Sequence, residues 1–432
     1  MKKITSIITI ITIVFFSISV GASLYKYGYI SKYLKGVDFI SNKIEEYIKK
    51  VVRTSVNGED LSNFNIITNN YEFSLNSFDT GSMYIYGGID IYNEKLFFLD
   101  GMGNLSMFDN NELIKIDFPN FDFHVNEFKK DFGINFPDFS IKDLAFGKVN
   151  NKDHIFISYT DYDSANQCYF LSVAQSEIIK SNDQISFGDF KIIFNSKPCL
   201  SPHPKNGIRG FAGTSAGGRL TPSKDGIYVS IGDFYFDGVN AESILNFDKS
   251  DYGKIIYIEF NTINYSTIAY GLRNPQGMVL TDIGLFETEH GPQGGDEFNK
   301  INLNQISDFG WPNASFGVDY ETYNWPLDQN NRNHIFYQNP IYFWTPSIGI
   351  SNIDFVEKTD SLQLWSGDFI ISSLKSLSLY RVRMESSYNH LIGIEKIQLG
   401  FRIRDIKIHQ NKIYLLEDTT PVKIHILEKM NH

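Results

Sequence analysis

Two arginines stand two residues apart in Phe401-Arg402-Ile403-Arg404-Asp405. On a β-strand that spacing points both guanidiniums to one side, where they can address one anionic ligand. A second candidate stretch reads Arg273-Asn274-Pro275-Gln276-Gly277, followed by Thr288-Glu289-His290-Gly291-Pro292-Gln293-Gly294-Gly295-Asp296-Glu297. Asn274 and Gln276 offer uncharged amides that both donate and accept hydrogen bonds. Asp296 and Glu297 carry the charge a cation would want, and equally suit bracing of the loop. Lys375 adds a cation and Trp344 a flat apolar wall. This density of polar, glycine and proline residues after short apolar runs marks loops that carry function rather than packing.

Something must hold these loops together, and the chain supplies a repeated unit. An apolar strand, a turn with Asp, Asn or Gly, and a second apolar strand recur six times. The copies begin at Ile89, Leu144, Gly218, Gly277, Ile353 and Ile403. The strands alternate apolar and polar residues and are rich in β-branched and aromatic types. Six such hairpins with long loops predict an all-β, six-bladed β-propeller over residues 54–432, because a single blade cannot bury both of its faces. Residues 54–84 are expected to supply the strand that closes the last blade.

The chain has 432 residues, with 36 Phe and 25 Tyr, which suits sheet packing. A net charge of −11 excludes a broad basic face for nucleic acid. Lys2 and Lys3 precede an apolar run to Leu24, the pattern of an export signal. Its length suits either a membrane-spanning anchor over 1–24 or a signal peptide cleaved near Val20-Gly21-Ala22. Helical spacing of apolar residues from Ile30 to Val51 predicts a helical stem over 25–53. The expected location is therefore extracytoplasmic, with membrane attachment if the segment is retained. Cys168 and Cys199 are the only cysteines, and their flanking strand-like runs can pair and join them as a disulfide.

The Arg273–Gly277 and Glu289–Glu297 strings, with Gly310-Trp311-Pro312, resemble the soluble quinoprotein glucose dehydrogenases and aldose sugar dehydrogenases, the glucose/sorbosone dehydrogenase family. The resemblance implies pyrroloquinoline quinone (PQQ) and Ca2+ as cofactors, a sugar or polyol substrate and a separate electron acceptor. It assigns Asn274, Gln276, Trp344, Lys375, Arg402 and Arg404 to the quinone, and the carbonyls of Gly291 and Pro292 to calcium. One position departs from the pattern. The family's base is a histidine four residues before the arginine of a Gly-Arg-Leu strand start. In Gly213-Thr214-Ser215-Ala216-Gly217-Gly218-Arg219-Leu220 that position is Ser215, while Ile231-Gly232-Asp233 downstream keeps the register. A hydroxyl is a far weaker base than imidazole. His203 and His290 are the alternative bases. The expectation divides between a sugar dehydrogenase and a non-catalytic propeller that serves ligand or protein binding.

Overall fold

A computed structural model describes residues 65–430 apart from 110, 120–121, 133–138, 182–183, 204–212, 239–240 and 318–333. The predicted signal segment and stem lie outside the described residues. Among the described residues no helix is long and apolar enough to cross a membrane. The compact unit that holds the sheets spans Asn63–His432.

Among the described residues the sheets number six, each with four or five strands. The predicted hairpins form the two innermost strands of the six blades. Blade 1 starts with Gly87–Tyr92, blade 2 with Ile141–Val149 and blade 3 with Gly217–Pro222. Blade 4 starts with Pro275–Thr281, blade 5 with Ile350–Phe355 and blade 6 with Ile403–His409. Each innermost strand packs against the next, and the sixth packs against the first. Blade 6 is completed from the other end of the chain: Glu72–Asp79 pairs antiparallel with Lys423–Lys429, from Phe73 opposite Lys429 to Asp79 opposite Lys423. The closing strand expected from residues 54–84 is thus found, and it ties the first strands of the propeller to the last.

Between blades the core is aromatic and aliphatic. Phe286 and Phe298 of blade 4 meet Phe369 of blade 5 at ring-centroid distances of 4.5 and 5.2 Å. All three rings are fully buried. Phe→Ala in such a place costs about 3–5 kcal/mol.

Nearer the axis, side chains stitch each blade to the next one's backbone. Asp90 accepts from the Phe146 amide at 2.8 Å, and Asp143 from the Leu220 amide at 2.8 Å. Thr221 donates to the Met278 carbonyl at 3.1 Å, and Thr288 to the Ser351 carbonyl at 2.9 Å. Asp354 accepts from Ile408 at 2.6 Å, and Asp405 from Ile89 at 2.9 Å, which completes the circuit. These bonds satisfy backbone groups that the radial sheets leave without a ladder partner.

Five of the six innermost strands also lose register close to their first residues, at Ile141/Asp143, Gly217/Leu220, Pro275/Gly277, Ile350/Ile353 and Ile403/Asp405. Such bulges re-aim a side chain and are common beside functional sites. The residues between those register points include Lys142, Arg219, Gln276 and Arg404, and all four line one cavity.

Candidate functional site

The cavity lies where the innermost strands begin and has a volume of about 680 Å³. Of the residues expected from sequence, Ser215, Asn274, Gln276, Gly291, Pro292, Lys375 and Arg404 line it. They come from blades 3, 4, 5 and 6 and from the loops that lead into them, so folding alone brings them together.

Two expected residues lie elsewhere. Trp344 is buried at 7 % exposure and packs edge-on against Tyr342 and Tyr380, with centroids 4.8 and 5.9 Å away. It is a core residue, and the three residues after it, Thr345, Pro346 and Ser347, reach the cavity instead. Arg402 shares Asp418 with Arg404, but its side chain is half exposed and it is not among the lining residues. Arg402 donates to Asp418 Oδ2 at 2.7 and 2.9 Å, and Arg404 to Oδ1 at 2.8 and 3.1 Å. The expected common direction of the pair is present. Burial alone would raise the Asp418 carboxyl, but the two guanidiniums hold it below its ordinary value. Arg404 is fixed further by the Gln276 side-chain oxygen at 3.1 Å.

The turn after blade 4's second strand is braced from inside. Asp296, fully buried, accepts from the Gly291 amide at 3.2 Å, the Ser347 hydroxyl at 2.7 Å and the Ile350 amide at 3.0 Å. Glu297 is buried and accepts from Asn299 at 3.3 Å. Asp296 therefore braces the loop, whereas Glu297 bonds within its own strand, Asp296–Ile301. Arg273 donates to the carbonyls of His290 at 3.2 Å and Gly291 at 3.0 Å. Its own backbone amide, and that of Asn274, donate to Glu289. Asn274 in turn accepts from the Gly217 amide at 3.1 Å, which ties this turn to the Ser215 segment.

Ser215 is 5 % exposed and has φ of +57°, a left-handed conformation uncommon outside glycine. Its hydroxyl donates to Asp233 Oδ1 at 2.6 Å. The other oxygen of Asp233 accepts from the Trp311 indole N–H at 2.9 Å. Burial pushes the Asp233 carboxyl up to about 6, with Arg273 pulling it down and Asp237 pushing it further up. His290 lines the cavity as well. Burial, with help from Arg273, Arg404 and Arg402, pushes its pKa down to about 4, so its ring is neutral near pH 7. His203, the other alternative base, does not line the cavity.

At the cavity floor, Arg219 closes the axis. One guanidinium nitrogen lies 2.8 Å from Asp143 and 3.2 Å from Asp405. Burial drives Asp143 up to about 7, against the pull of Arg219 and with the push of Asp405.

Sequence reasoning passed over Lys142, Tyr86, Glu289 and the role of Asp233. Cys168 and Cys199 are joined, with Cα atoms 5.6 Å apart, where Lys191–Asn195 pairs antiparallel with Cys168–Ser181.

Comparison with known proteins agrees with this architecture. The sequence profile described as Glucose / Sorbosone dehydrogenase matches residues 142–426. The aldose sugar dehydrogenase YliI of Escherichia coli (strain K12) is 26% identical over 255 residues, covering 55% of this chain and 64% of its own length. An uncharacterised protein of Synechocystis is 29% identical over 153 residues, covering 35% of this chain and 36% of its own length. The chain thus matches less than two thirds of the length of either relative. Among solved structures, the soluble aldose sugar dehydrogenase of E. coli in its apo form superposes with a TM-score of 0.66 at 19% identity, over 83% of this chain and 100% of that one. A glucose dehydrogenase superposes with a TM-score of 0.65 at 18% identity, over 83% of this chain and 99% of that one. The structural likeness speaks for the fold, and the profile match extends it: the chain belongs to the glucose/sorbosone dehydrogenase family.

Proposed function

We propose that this chain is an exported, quinone- and calcium-binding aldose sugar dehydrogenase in which Ser215 weakens the proton-accepting step. The observation that carries the reading is the convergence of Arg404, Lys375, Asn274, Gln276 and the Gly291-Pro292 turn on one cavity. A flat tricarboxylate quinone needs fixed cations and amide donors, and these residues fit it. Arg404 is held by Asp418 and Gln276, so it is oriented before any ligand arrives. Lys375 follows Leu374 on the same wall and adds charge without a fixed plane.

Calcium suits the turn on chemical grounds. A carbonyl oxygen has two lone pairs, and Arg273 uses one on Gly291. The remaining lone pair there and the Pro292 carbonyl are hard oxygen donors of the kind calcium takes. The nearby Arg273 charge makes the anionic cofactor a necessary co-ligand in this reading. Pyrroloquinoline quinone, when bound, supplies a two-electron acceptor for the hydrogen of a sugar carbon.

The protein's own part is to orient the sugar and accept its hydroxyl proton. Ser215 faces the cavity and can accept a hydrogen bond from a substrate hydroxyl while donating to Asp233. Asp233 is fully buried behind the lining and bonds to two lining residues, the Ser215 hydroxyl and the Tyr235 amide. Losing a positioned imidazole commonly costs 10²–10⁴-fold in rate, about 3–5 kcal/mol of barrier. The second reading, a binding propeller without turnover, is favoured by this one substitution.

Export is supported by the lysine-led apolar N-terminus and by the joined cysteines. The reading is tested by adding calcium, quinone and a panel of aldoses to the purified protein and following reduction of the bound quinone. Slow, sugar-dependent reduction supports the dehydrogenase. Bound quinone that no aldose reduces supports the binding propeller.

A further inference from the structure

A second cavity lies at the other end of the innermost strands, with a volume of about 430 Å³. Each blade lines it with residues further along its innermost strand, from 89–91 in blade 1 to 407–409 in blade 6. Among the described residues Arg219 is the one residue common to both cavities. Its guanidinium, held by Asp143 and Asp405, is the partition between them. The two sides differ in charge. The first cavity presents Lys142, Arg273, Lys375 and Arg404 against Asp296. The second presents five acids, Asp90, Asp143, Asp354, Glu357 and Asp360, against Arg219 and Lys407.

Both of those cations are taken. Arg219 serves the partition, and Lys407 lies 3.0 Å from Asp90. His409, also in the wall, turns to Glu94 at 2.7 Å. Asp354 accepts the amides of Phe355 and Ile408, and Asp360 those of Glu357 and Gln410. Those bonds fix the carboxylates without neutralising them, and each carboxylate keeps lone pairs to spare. Among the described residues neither of these acids, nor Glu357, makes an ion pair. Burial pushes the Asp354 carboxyl up to about 6 against the pull of Lys407. Burial raises Glu357 as well, and the charges of Asp282 and Asp360 add to it. A second observation is independent of charge. Asn352, 3 % exposed, stands in the same wall. Its amide nitrogen donates to Asp405, so its oxygen faces away from that carboxylate, and this oxygen has no hydrogen-bond partner. A buried acceptor left open is costly, and the blade-to-blade bonds do not answer it.

We propose that this lower cavity is a second ligand site, for a small organic cation whose ammonium groups are held by its carboxylates and by the Asn352 oxygen. A metal ion would need its ligands to converge within about 2.0–2.6 Å of one point. Among the described residues no group of three acids or imidazoles is so placed. An ammonium instead carries three donors that reach separate acceptors. Met278, Leu280 and Phe355 in the same wall offer apolar surface to a methylene stem. The volume falls in the range of about 300–1,000 Å³ usual for small-molecule sites. The net charge of −11 draws cations towards such a cleft. The site uses none of the residues assigned to the quinone and stands apart from the dehydrogenase reading.

The test is calorimetric titration of the purified full chain with putrescine, and with 1,4-butanediol as its uncharged match. The expected result is saturable binding of putrescine and none of the diol. Glu357→Gln, a change at the exposed rim, should weaken putrescine about tenfold. Asp354→Asn should weaken it at least as much, with circular dichroism showing that the propeller is folded; if it is not, Glu357→Gln decides. Lys375→Gln, in the first cavity, should leave putrescine binding unchanged. No saturable binding of putrescine, or equal binding of the diol, overturns the proposal. Wild-type affinity in Glu357→Gln and in folded Asp354→Asn also overturns it, because the amine would then sit elsewhere. Displacement of putrescine by calcium at lower concentration than by spermidine would assign the cavity to a metal ion and overturn it too.

Discussion

The Ser215 hydroxyl donates to Asp233 across 2.6 Å, and Asp233 itself is fully buried behind it. A carboxylate behind the residue that faces the substrate is the partner an imidazole would want for its ring N–H. Ser215→His should therefore raise quinone-dependent aldose oxidation on the order of 10²-fold. The left-handed conformation at position 215 is one that histidine adopts more readily than most residues. Steady-state kinetics checks this. A variant that binds quinone and sugar and gains nothing speaks for the binding propeller.

The same pair sets a pH dependence. Burial raises the Asp233 carboxyl to about 6, so wild-type turnover should climb as pH rises through that value and the carboxylate becomes able to accept. Asp233→Asn should flatten the profile. For stability the sign is opposite. The folded protein holds this proton more tightly than the unfolded chain, whose carboxyl titrates near 4. The contribution is complete below pH ~4 and is lost as pH rises to about 6. Urea midpoints across that window should fall less steeply in Asp233→Asn than in the wild type.

At the floor of the cavity, Arg219→Met leaves Asp143 and Asp405 buried without their cation. Breaking a buried pair from one side costs about 3–5 kcal/mol. Chemical unfolding should show that loss, and a change below 1 kcal/mol would mean that water reaches the axis.

Much of this fold was legible because its signals are local. Each predicted hairpin, such as Lys95–Asp100 behind Gly87–Tyr92, needs only alternation and a turn to be seen, and each became an innermost pair. The closing strand Glu72–Asp79 falls within residues 54–84, the stretch expected to complete the last blade. The departures came from packing, which alternation does not encode. Trp344 and Thr345 are neighbours, and which of them faces the cavity depends on the edge strand Tyr342–Trp344 and its contact with Tyr380. Lys142 was missed because a register break, not the strand's period, aims it. Asp233 served in sequence only to fix a register, and its bond to Ser215 joins residues 18 apart across the blade.

The joined cysteines close a loop of 31 residues between the second blade's third strand and the segment after it. Chain-entropy arguments give such a crosslink about 3–4 kcal/mol. Replacing both cysteines by serine should lower the unfolding midpoint accordingly. Unreduced peptide mapping of the exported wild type should recover the linked pair. Two freely alkylated thiols in that material would contradict the assignment.

The central claim is that this cavity holds a tricarboxylate quinone against Arg404. The direct measurement is equilibrium binding of pyrroloquinoline quinone with calcium present, followed by absorbance, in the wild type, Arg404→Ala and Arg402→Ala. Removing a charge-assisted contact is worth roughly 1.5–3 kcal/mol, so Arg404→Ala should bind about 10–100-fold more weakly. Arg402, half exposed and outside the lining, should matter less. Saturable binding by the wild type, weakened most by Arg404→Ala, is the predicted result; no saturable binding, or equal binding by all three proteins, would contradict it.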